Sequence, residues 1–316
     1  MKYLLKTLLT ITASLGVKLL LAQQIPSYSQ YTLNRYALNP AVAGLESCSE
    51  FTVGNRRQWD GFEGAPETYM ASLSTRINKE DKYPENFHGV GVFASDDRFG
   101  IYSVTNVKIG YAYHIKLWTN YRLSLGVFAG VQQHARSYEA IIMRNKSIDP
   151  AINSEDNRTI VYPEISPGGF IHNRNFYMGL SMFQLFPARI QKFGTNENRL
   201  SPHFFYTTGY RIRGINLDAI PSMLVNFSPI VSPTLDFTLE LDYQKKVQLA
   251  VGSKYLNSAY GILKLRLLKK MTIGYSYEYA LNEISQVAPE THEIMIQITS
   301  CRIGERTPHL PCPAYR

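Results

Sequence analysis

The chain has 316 residues, of which 45% are hydrophobic and 18% are charged. This apolar content is ample for a core and excludes a disordered chain. A polytopic helical membrane protein is also excluded, because it needs several stretches of about 20 apolar residues and only the N-terminus comes close. The length allows two soluble domains or one large β domain. The 22 tyrosines and 21 glycines keep open a membrane β-barrel of modest mean hydropathy.

The N-terminus, residues 1–22, has the pattern of a secretory signal peptide. Lys2 and Lys6 precede a short apolar run, and Ala22 offers a cleavage position. A single membrane anchor is the alternative, which the short apolar run and Lys18 argue against. We therefore expect an exported protein.

The net charge of +8 is spread along the chain and includes no run of five basic residues. Nucleic-acid binding relies on clustered basic residues that follow the phosphate backbone. We therefore expect no nucleic-acid partner.

The three cysteines are Cys48, Cys301 and Cys312. An exported chain meets an oxidising compartment, in which disulfides form. A bond between Cys301 and Cys312 would close a small C-terminal loop and leave Cys48 unpaired. With three thiols any one pairing is possible, and the sequence does not choose between them. Structural pairing is favoured over redox chemistry.

The dominant hydrophobic period from about residue 50 to residue 300 is two, which predicts β-strands. In 234–243, for example, Leu235, Phe237 and Leu239 alternate with polar residues. Fourteen strands are predicted in this way, near 50–59, 67–77, 87–95, 101–117, 121–134, 166–172, 175–183, 201–213, 215–227, 234–243, 246–255, 259–267, 271–280 and 290–300.

The strand count is even and several strands have about ten residues, the length that a tilted strand needs to cross a bilayer. Connections alternate between short turns and longer loops such as 60–66, 135–165 and 184–200, as at the two ends of a membrane barrel. A soluble β-sandwich also alternates and is the alternative fold. We predict an all-β, transmembrane antiparallel β-barrel of about 14 strands with an N-terminal non-strand segment.

The predicted organisation has four parts. Residues 1–22 are the signal peptide, and 23–49 are an N-terminal periplasmic or plug-like segment. Residues 50–300 form the outer-membrane barrel, and 301–316 form a C-terminal periplasmic tail.

The sequence carries no signature of a nucleophile, a phosphate-binding loop or a metal site. The seven histidines are scattered, so no metal-ligand spacing appears. Alternation turns several carboxylates inward together with cations, which favours a charge-balanced polar lumen over an acid–base site. The inward carboxylates are Asp236, Glu240, Asp242, Glu278 and Glu293. We expect no catalytic residue, no cofactor and no metal.

Two segments near the N-terminus stand out. The first contains Gln30-Tyr31 and then Asn-Pro-Ala-Val-Ala-Gly over 39–44. The second reads Arg-Arg-Gln-Trp-Asp-Gly-Phe-Glu-Gly-Ala-Pro-Glu-Thr over 56–68. Asn-Pro and Ala-Gly favour turns, so we predict that 23–49 contains turns and is not a strand. An ordinary hairpin with an aromatic anchor is the simplest interpretation of the second segment.

These residues resemble the PorP/SprF family of the type IX secretion system. That family carries Q-Y, then N-P-A-x-A-G, then R-x-Q-W-x-G-F-x-G-A-P-x-T, and the similarity extends over the mature chain. Val42 departs from the pattern, where an aromatic residue is common, and so does the tail over 301–316 with its two cysteines.

The resemblance implies an outer-membrane protein of Bacteroidetes-type bacteria that serves in type IX secretion and gliding motility. It also implies two kinds of partner. One is a periplasmic peptidoglycan-binding lipoprotein, and the other is the set of secreted surface proteins that carry a type IX C-terminal domain.

Our leading hypothesis is a non-enzymatic barrel that anchors or docks these partners. The candidate partner-binding residues are Asn39, Pro40, Gly44, Arg57, Trp59, Phe62, Glu63 and Pro66. Trp59 and Phe62 supply contact area, and Arg57 is positioned to pair with Glu63 or with a partner carboxylate. A passive porin or small-solute transporter is the second hypothesis, and a barrel enzyme acting on lipid is the third.

Overall fold

The computed structural model describes residues 27–46, 48–77, 86–118, 120–136, 158–186, 189–193, 196–229, 231–255, 257–267 and 270–300. The predicted signal peptide over 1–22 and the predicted tail over 301–316 lie outside the described residues. No helix in the described part of the chain has the length and apolar composition of a membrane span.

Fourteen antiparallel strands form a closed barrel, which confirms the predicted fold class and strand number. Each strand pairs with the next barrel strand along the chain, and β1 (Glu50–Arg57) pairs with β16 (Glu290–Thr299) to close the ring. The other barrel strands are β2 (Glu67–Arg76), β3 (Phe87–Phe99), β4 (Tyr102–Trp118), β5 (Tyr121–Arg136), β6 (Arg158–His172), β7 (Phe176–Phe183), β10 (His203–Tyr210), β11 (Leu217–Ser228), β12 (Val231–Tyr243), β13 (Val247–Lys254), β14 (Ser258–Leu267) and β15 (Met271–Ala280). Closure pairs the first strand with the last, as backbone in lipid requires.

The period of two in the sequence separates an outer face from an inner face. In β12, Phe237 and Leu239 point outward and are 49% and 43% exposed. Thr238 and Glu240 point inward and are buried. An apolar outer face is stable only against lipid, and a polar inner face needs partners inside the barrel.

The two ends of the barrel differ. We call turn rim the end at which β1 begins and β16 ends, and it carries the short connections 173–175, 211–216 and 244–246. We call loop rim the opposite end, which carries 58–66 and 281–289. The alternation of short and long connections is therefore largely as predicted. An exception is the link between β3 and β4, where β3 extends to Phe99 and only two residues remain.

The main departure from the predicted strands lies on the loop-rim side of β6. The loop predicted over 135–165 is partly strand, because β6 begins at Arg158. Pro163 lies in the missed part of the strand, 158–165, and proline is disfavoured inside a central strand. Within the described residues β6 pairs with β7 only over 168–172, so Pro163 lies where β6 lacks a strand partner on that side.

The loop predicted over 184–200 also contains regular structure. It holds a separate two-stranded hairpin of β8 (Arg189–Phe193) and β9 (Asn196–Arg199). The hairpin pairs with itself and not with the barrel sheet. Its short strands carry seven charged or amide side chains in nine residues, which masked the alternation on which the strand prediction rests.

The hydrophobic core lies inside the barrel. The chain from Tyr28 to Leu45 contributes apolar side chains that pack against inward residues of the wall. Tyr36 meets Phe128 edge to face, with the two ring centroids 5.0 Å apart. Two short 3-10 turns, Arg35–Ala37 and Pro40–Val42, shape this part of the chain.

The structure adds one fact about the three cysteines, because Cys48 is disulfide-bonded. The pair considered in the sequence analysis, Cys301 and Cys312, lies outside the described residues. Cys48 is buried next to the seam between β1 and β16, where Ser300 N donates to Ser49 O at 2.9 Å. Barrel closure therefore brings distant parts of the chain together beside Cys48.

We expect Cys301 to be the partner of Cys48. The antiparallel register pairs Glu50 with Thr299 and continues through Ser49 and Ser300, and one further step of the same register would pair Cys48 with Cys301. Mass spectrometry of a non-reducing digest should recover a Cys48–Cys301 peptide. The peptide should persist in Cys312→Ser and disappear in Cys301→Ser, and a Cys48–Cys312 peptide would contradict the assignment.

Candidate functional site

The interior of the barrel is occupied by residues 27–46, which we call the luminal segment. Every residue from 28 to 46 is buried. Ser27 and Tyr28 lie near the loop rim, beside Lys254 at the end of β13. Leu45 lies near the turn rim, where Arg76 at the end of β2 donates to its carbonyl at 2.9 Å. The luminal segment therefore runs through the barrel from the loop rim to the turn rim before β1 begins.

A group of buried charges, which we call the outer ion cluster, holds the first residues of the luminal segment. It consists of Arg56, Lys254, Glu278 and Glu293. Arg56 binds Glu278 at 2.9 Å and Glu293 at 3.1 Å, and Lys254 binds Glu278 at 2.8 Å. These charges are buried and paired, as the cost of desolvation requires.

Glu293 ties the outer ion cluster to the luminal segment. Its two carboxylate oxygens accept the backbone N–H groups of Ser29 at 3.0 Å and Gln30 at 2.9 Å. The Gln30 amide in turn donates to the backbone carbonyl of Glu293 at 3.0 Å. Ser29 Oγ donates to Glu278 at 2.5 Å and accepts from Arg56 at 2.9 Å. Charge-assisted hydrogen bonds of this kind are stronger than neutral ones, so they fix the register of the segment.

Further polar contacts follow along the segment. The Tyr31 hydroxyl lies 3.1 Å from both Ser222 and Thr238. Burial raises the pKa of the Tyr31 phenol above its ordinary value, so it stays protonated. Thr32 accepts from Lys264 at 2.8 Å, and Lys264 pairs with Glu240 at 2.5 Å. The inward charges that the sequence suggested as a balanced polar lumen thus serve as anchors for the segment.

Asn39 anchors the middle of the luminal segment to the wall. Its side-chain oxygen accepts from Ala41 N at 2.9 Å and so caps the 3-10 turn that begins at Pro40. Its amide nitrogen donates to Gly169 O at 3.0 Å and to Leu180 O at 3.1 Å. One side chain therefore shapes the segment and joins it to two strands, which explains the Asn-Pro pair.

The end of the Asn-Pro-Ala-Val-Ala-Gly motif lies against wall positions that have no side chain. Gly44 has φ +62° and sits close to Thr75 and Gly89. A Cβ added to Gly89 would lie 1.8 Å from Ala43 O. His114 Nε2 donates to the same carbonyl at 2.8 Å, because a carbonyl can only accept. The motif and the wall are therefore complementary at backbone distance.

The structure divides the predicted partner-binding residues into two sets. Asn39, Pro40 and Gly44 are buried in the lumen, where the barrel wall covers them. A partner protein cannot reach them in this conformation, so their contacts are internal. The other set belongs to the connection between β1 and β2 on the loop rim and comprises Arg57, Trp59, Phe62, Glu63 and Pro66.

The connection over 58–66, which we call the β1–β2 loop, is held in one shape by backbone hydrogen bonds. Phe62 N donates to Trp59 O at 3.0 Å, and Gly100 N donates to Gly64 O at 2.9 Å. Trp59 has φ +57°, and its backbone N–H donates to Thr291 Oγ1 at 3.1 Å. The loop is therefore preorganised, which lowers the entropic cost of binding.

The exposed surface of the β1–β2 loop mixes apolar and charged groups. Phe62 is 45% exposed, and Asp60 and Glu63 are exposed beside it. Arg57 Nε lies 3.7 Å from Glu67 Oε1, at an exposed position where such a pair contributes little. Trp59 is half-buried and helps to line a cavity of about 100 Å³ at the mouth of the barrel, together with Tyr28 and Asn257.

Several residues that hold the luminal segment were missed by sequence reasoning. Ser29, Arg56 and Lys264 carry its strongest contacts, yet none was named as a site residue from the sequence. Arg56 gave one usable signal. It lies on the same strand face as inward Thr52, whereas Arg57 lies on the same face as outward Phe51. Among the described residues no group of three or more metal-ligating side chains occurs.

These features define a class of protein. A closed 14-stranded antiparallel barrel with an apolar outer face and a polar, occupied interior is an outer-membrane β-barrel. Residues 20–298 match the family described as type IX secretion system membrane protein PorP/SprF. The chain belongs to the PorP/SprF family and is located in the bacterial outer membrane.

The chain is also similar to solved structures. The Ralstonia pickettii toluene transporter TbuX has a TM-score of 0.49 at 10% identity, covering 85% of this chain and 92% of that one. The CymD monoaromatic hydrocarbon channel has a TM-score of 0.50 at 10% identity, covering 88% of this chain and 94% of that one. The likeness to CymD shows the fold alone at this identity. No curated protein sequence matches the chain.

The close fit at Gly89 predicts that a single methyl group disturbs the luminal segment. In Gly89→Ala the new Cβ would overlap Ala43 O, so we expect faster hydrogen exchange in 39–45 and a lower temperature of barrel unfolding on heat-modifiability gels. Gly261→Ala is the matched control, since a Cβ there meets nothing within 4 Å. Equal exchange in the two variants would contradict the proposed packing.

Proposed function

We propose that the protein is a non-enzymatic, plugged docking platform of the type IX secretion and gliding motility machinery. Its extracellular loop rim would receive secreted surface proteins that carry a type IX C-terminal domain. Its periplasmic turn rim would receive a peptidoglycan-binding lipoprotein. The observation that carries this proposal is the burial of the whole luminal segment inside the barrel.

The plug favours docking over passage of solutes. A passive pore needs a continuous aqueous path, whereas here the luminal segment contacts strands on several sides of the wall. Its partners include Glu293 on β16, Glu240 on β12, Gly169 on β6 and Arg76 on β2. A segment joined to so many strands braces the barrel, which suits a protein that bears load between two partners.

The β1–β2 loop supports the extracellular half of the proposal. It is fixed by hydrogen bonds to the loop after β3 and to β16, and it presents Phe62 at its surface. Large apolar side chains on rigid loops are typical interaction hot spots. The charged Asp60 and Glu63 beside Phe62 would form a polar rim around such a contact.

The closed lumen is tested by planar bilayer recording. We expect no steady open current from the wild-type protein. Arg56→Met should cause intermittent openings, because Glu278 and Glu293 lose a shared cation and removing one partner of a buried ion pair costs about 3–5 kcal/mol. Arg57→Met is the matched control, since the neighbouring Arg57 is exposed, and it should stay closed.

A steady, large current from the wild-type protein would instead favour the passive porin. A current in Arg57→Met equal to that in Arg56→Met would contradict the role given to the outer ion cluster.

The docking role is tested by the double variant Trp59→Ala/Phe62→Ala. We expect loss of co-purification with secreted surface proteins after crosslinking on whole cells, because the loop loses its apolar contact area. The barrel should remain heat-modifiable, since Phe62 is exposed and Trp59 half-buried. Leu239→Ala on the lipid face is a control for general damage, and retained partner binding in the double variant would contradict the assignment.

A further inference from the structure

The two rims carry different surface charge. Every exposed charged side chain that the structure describes on the turn rim is basic: Lys116, Arg174, Arg213, Lys245, Lys246 and Lys270. The described exposed charges of the loop rim are four acidic and two basic side chains. The acidic ones are Asp60, Glu63, Glu283 and Glu290, and the basic ones are Arg57 and Arg98. The two loop-rim cations lie beside Glu67 and Asp96, at 3.7 Å and 2.7 Å. Among the described residues, the excess of exposed positive charge therefore lies on the turn rim.

The basic groups are densest at two adjacent turns. The connection 211–216 follows β10 and carries Arg213, and the connection 244–246 follows β12 and carries Lys245 and Lys246. The strands β11 and β12 between them are paired, so the two turns are neighbours. A cleft of about 230 Å³ lies between these turns.

The first of these turns presents an apolar tip. Ile215 is fully exposed, with 101% relative accessibility. The backbone of the turn is held in place, because Ile212 and Ala219 exchange backbone hydrogen bonds of 2.8 Å and 2.9 Å. Asp218 accepts from Gly214 N at 3.1 Å and from Arg211 at 2.9 Å. The turn therefore holds an aliphatic side chain in a fixed position in the periplasm.

The floor of the cleft is already neutralised. Arg211 is buried and lies 2.9 Å from Asp218 and 3.7 Å from Asp242, and Arg266 lies 3.2 Å from Asp242. The exposed cations that an approaching partner meets are therefore those at the edge of the cleft, Arg213 and Lys246. Exposed cations around an apolar side chain favour a partner surface that is negatively charged and has a small apolar recess.

We propose that the turns 211–216 and 244–246 form the docking surface for an acidic face of a periplasmic protein, with Ile215 as the apolar anchor. This deepens the proposed function and rests on it for the existence of a periplasmic partner. Charge complementarity speeds association and sets orientation, while the buried anchor slows dissociation. Phospholipid headgroups would bind the basic residues but have no use for an aliphatic side chain that stands beyond the rim.

The test is photo-crosslinking in living cells with Ile215→p-benzoylphenylalanine in the full-length protein. We expect an adduct with one periplasmic protein, whose crosslinked peptide, read by mass spectrometry, is rich in Asp and Glu. Arg213→Glu/Lys246→Glu in the same background should lower the adduct yield about tenfold or more, as loss of steering and of charge pairing together predict. Arg57→Glu/Arg98→Glu on the loop rim is the matched control and should leave the yield unchanged.

Three outcomes would overturn the proposal. These are an adduct with lipid only, a crosslinked peptide without acidic character, and a yield that the turn-rim charge reversal does not change. Heat-modifiability of each variant shows that the barrel is folded, since the substituted side chains are exposed. A failure here with intact capture of surface proteins at the loop rim would leave the extracellular half of the proposed function standing, so the two failures are distinguishable.

Discussion

The carboxylate of Glu293 is the contact on which the rest of the structure depends. It accepts two backbone N–H groups from the luminal segment and binds Arg56 from the first strand. Glu293 lies on β16 and Arg56 on β1, so the same group also joins the two strands that close the barrel. A buried carboxylate that is fully paired gives little net stability. It gives specificity, because a shifted register would remove the N–H groups of Ser29 and Gln30 from its two oxygens.

The fit between segment and wall follows from this anchor. Once Ser29 and Gln30 are fixed at one end, the chain reaches Asn39 and then Gly44 at positions where the wall supplies carbonyl groups and glycines. Gly89, Gly126 and Gly168 all lie within Cβ-contact distance of residues 39–44. A side chain at any of these three wall positions would therefore collide with the luminal segment. The plug, the wall and the closure seam form one cooperative unit.

The two rims of the barrel present different surfaces. The loop rim carries longer connections stiffened by hydrogen bonds to their neighbours, and it displays aromatic and acidic groups. The turn rim carries short hairpins with basic residues and one exposed aliphatic tip. Among the described residues, the luminal segment lies between the two rims. This polarity is what a protein needs if it connects different partners on the two sides of a membrane.

The sequence by itself determined the class of fold, the strand number and the family, because these depend on local alternation and on a contiguous motif. It also marked residues 39–44 and 56–68 as unusual, but not the difference between them. Only the tertiary structure decided that Asn39, Pro40 and Gly44 are covered by the wall while Phe62 is exposed, since burial depends on strands far away in the chain. The pairing of Cys48 was left open by the sequence for the same reason, as barrel closure joins positions separated by about 250 residues. Alternation records which way a side chain points, and only closure of the barrel decides what it meets there.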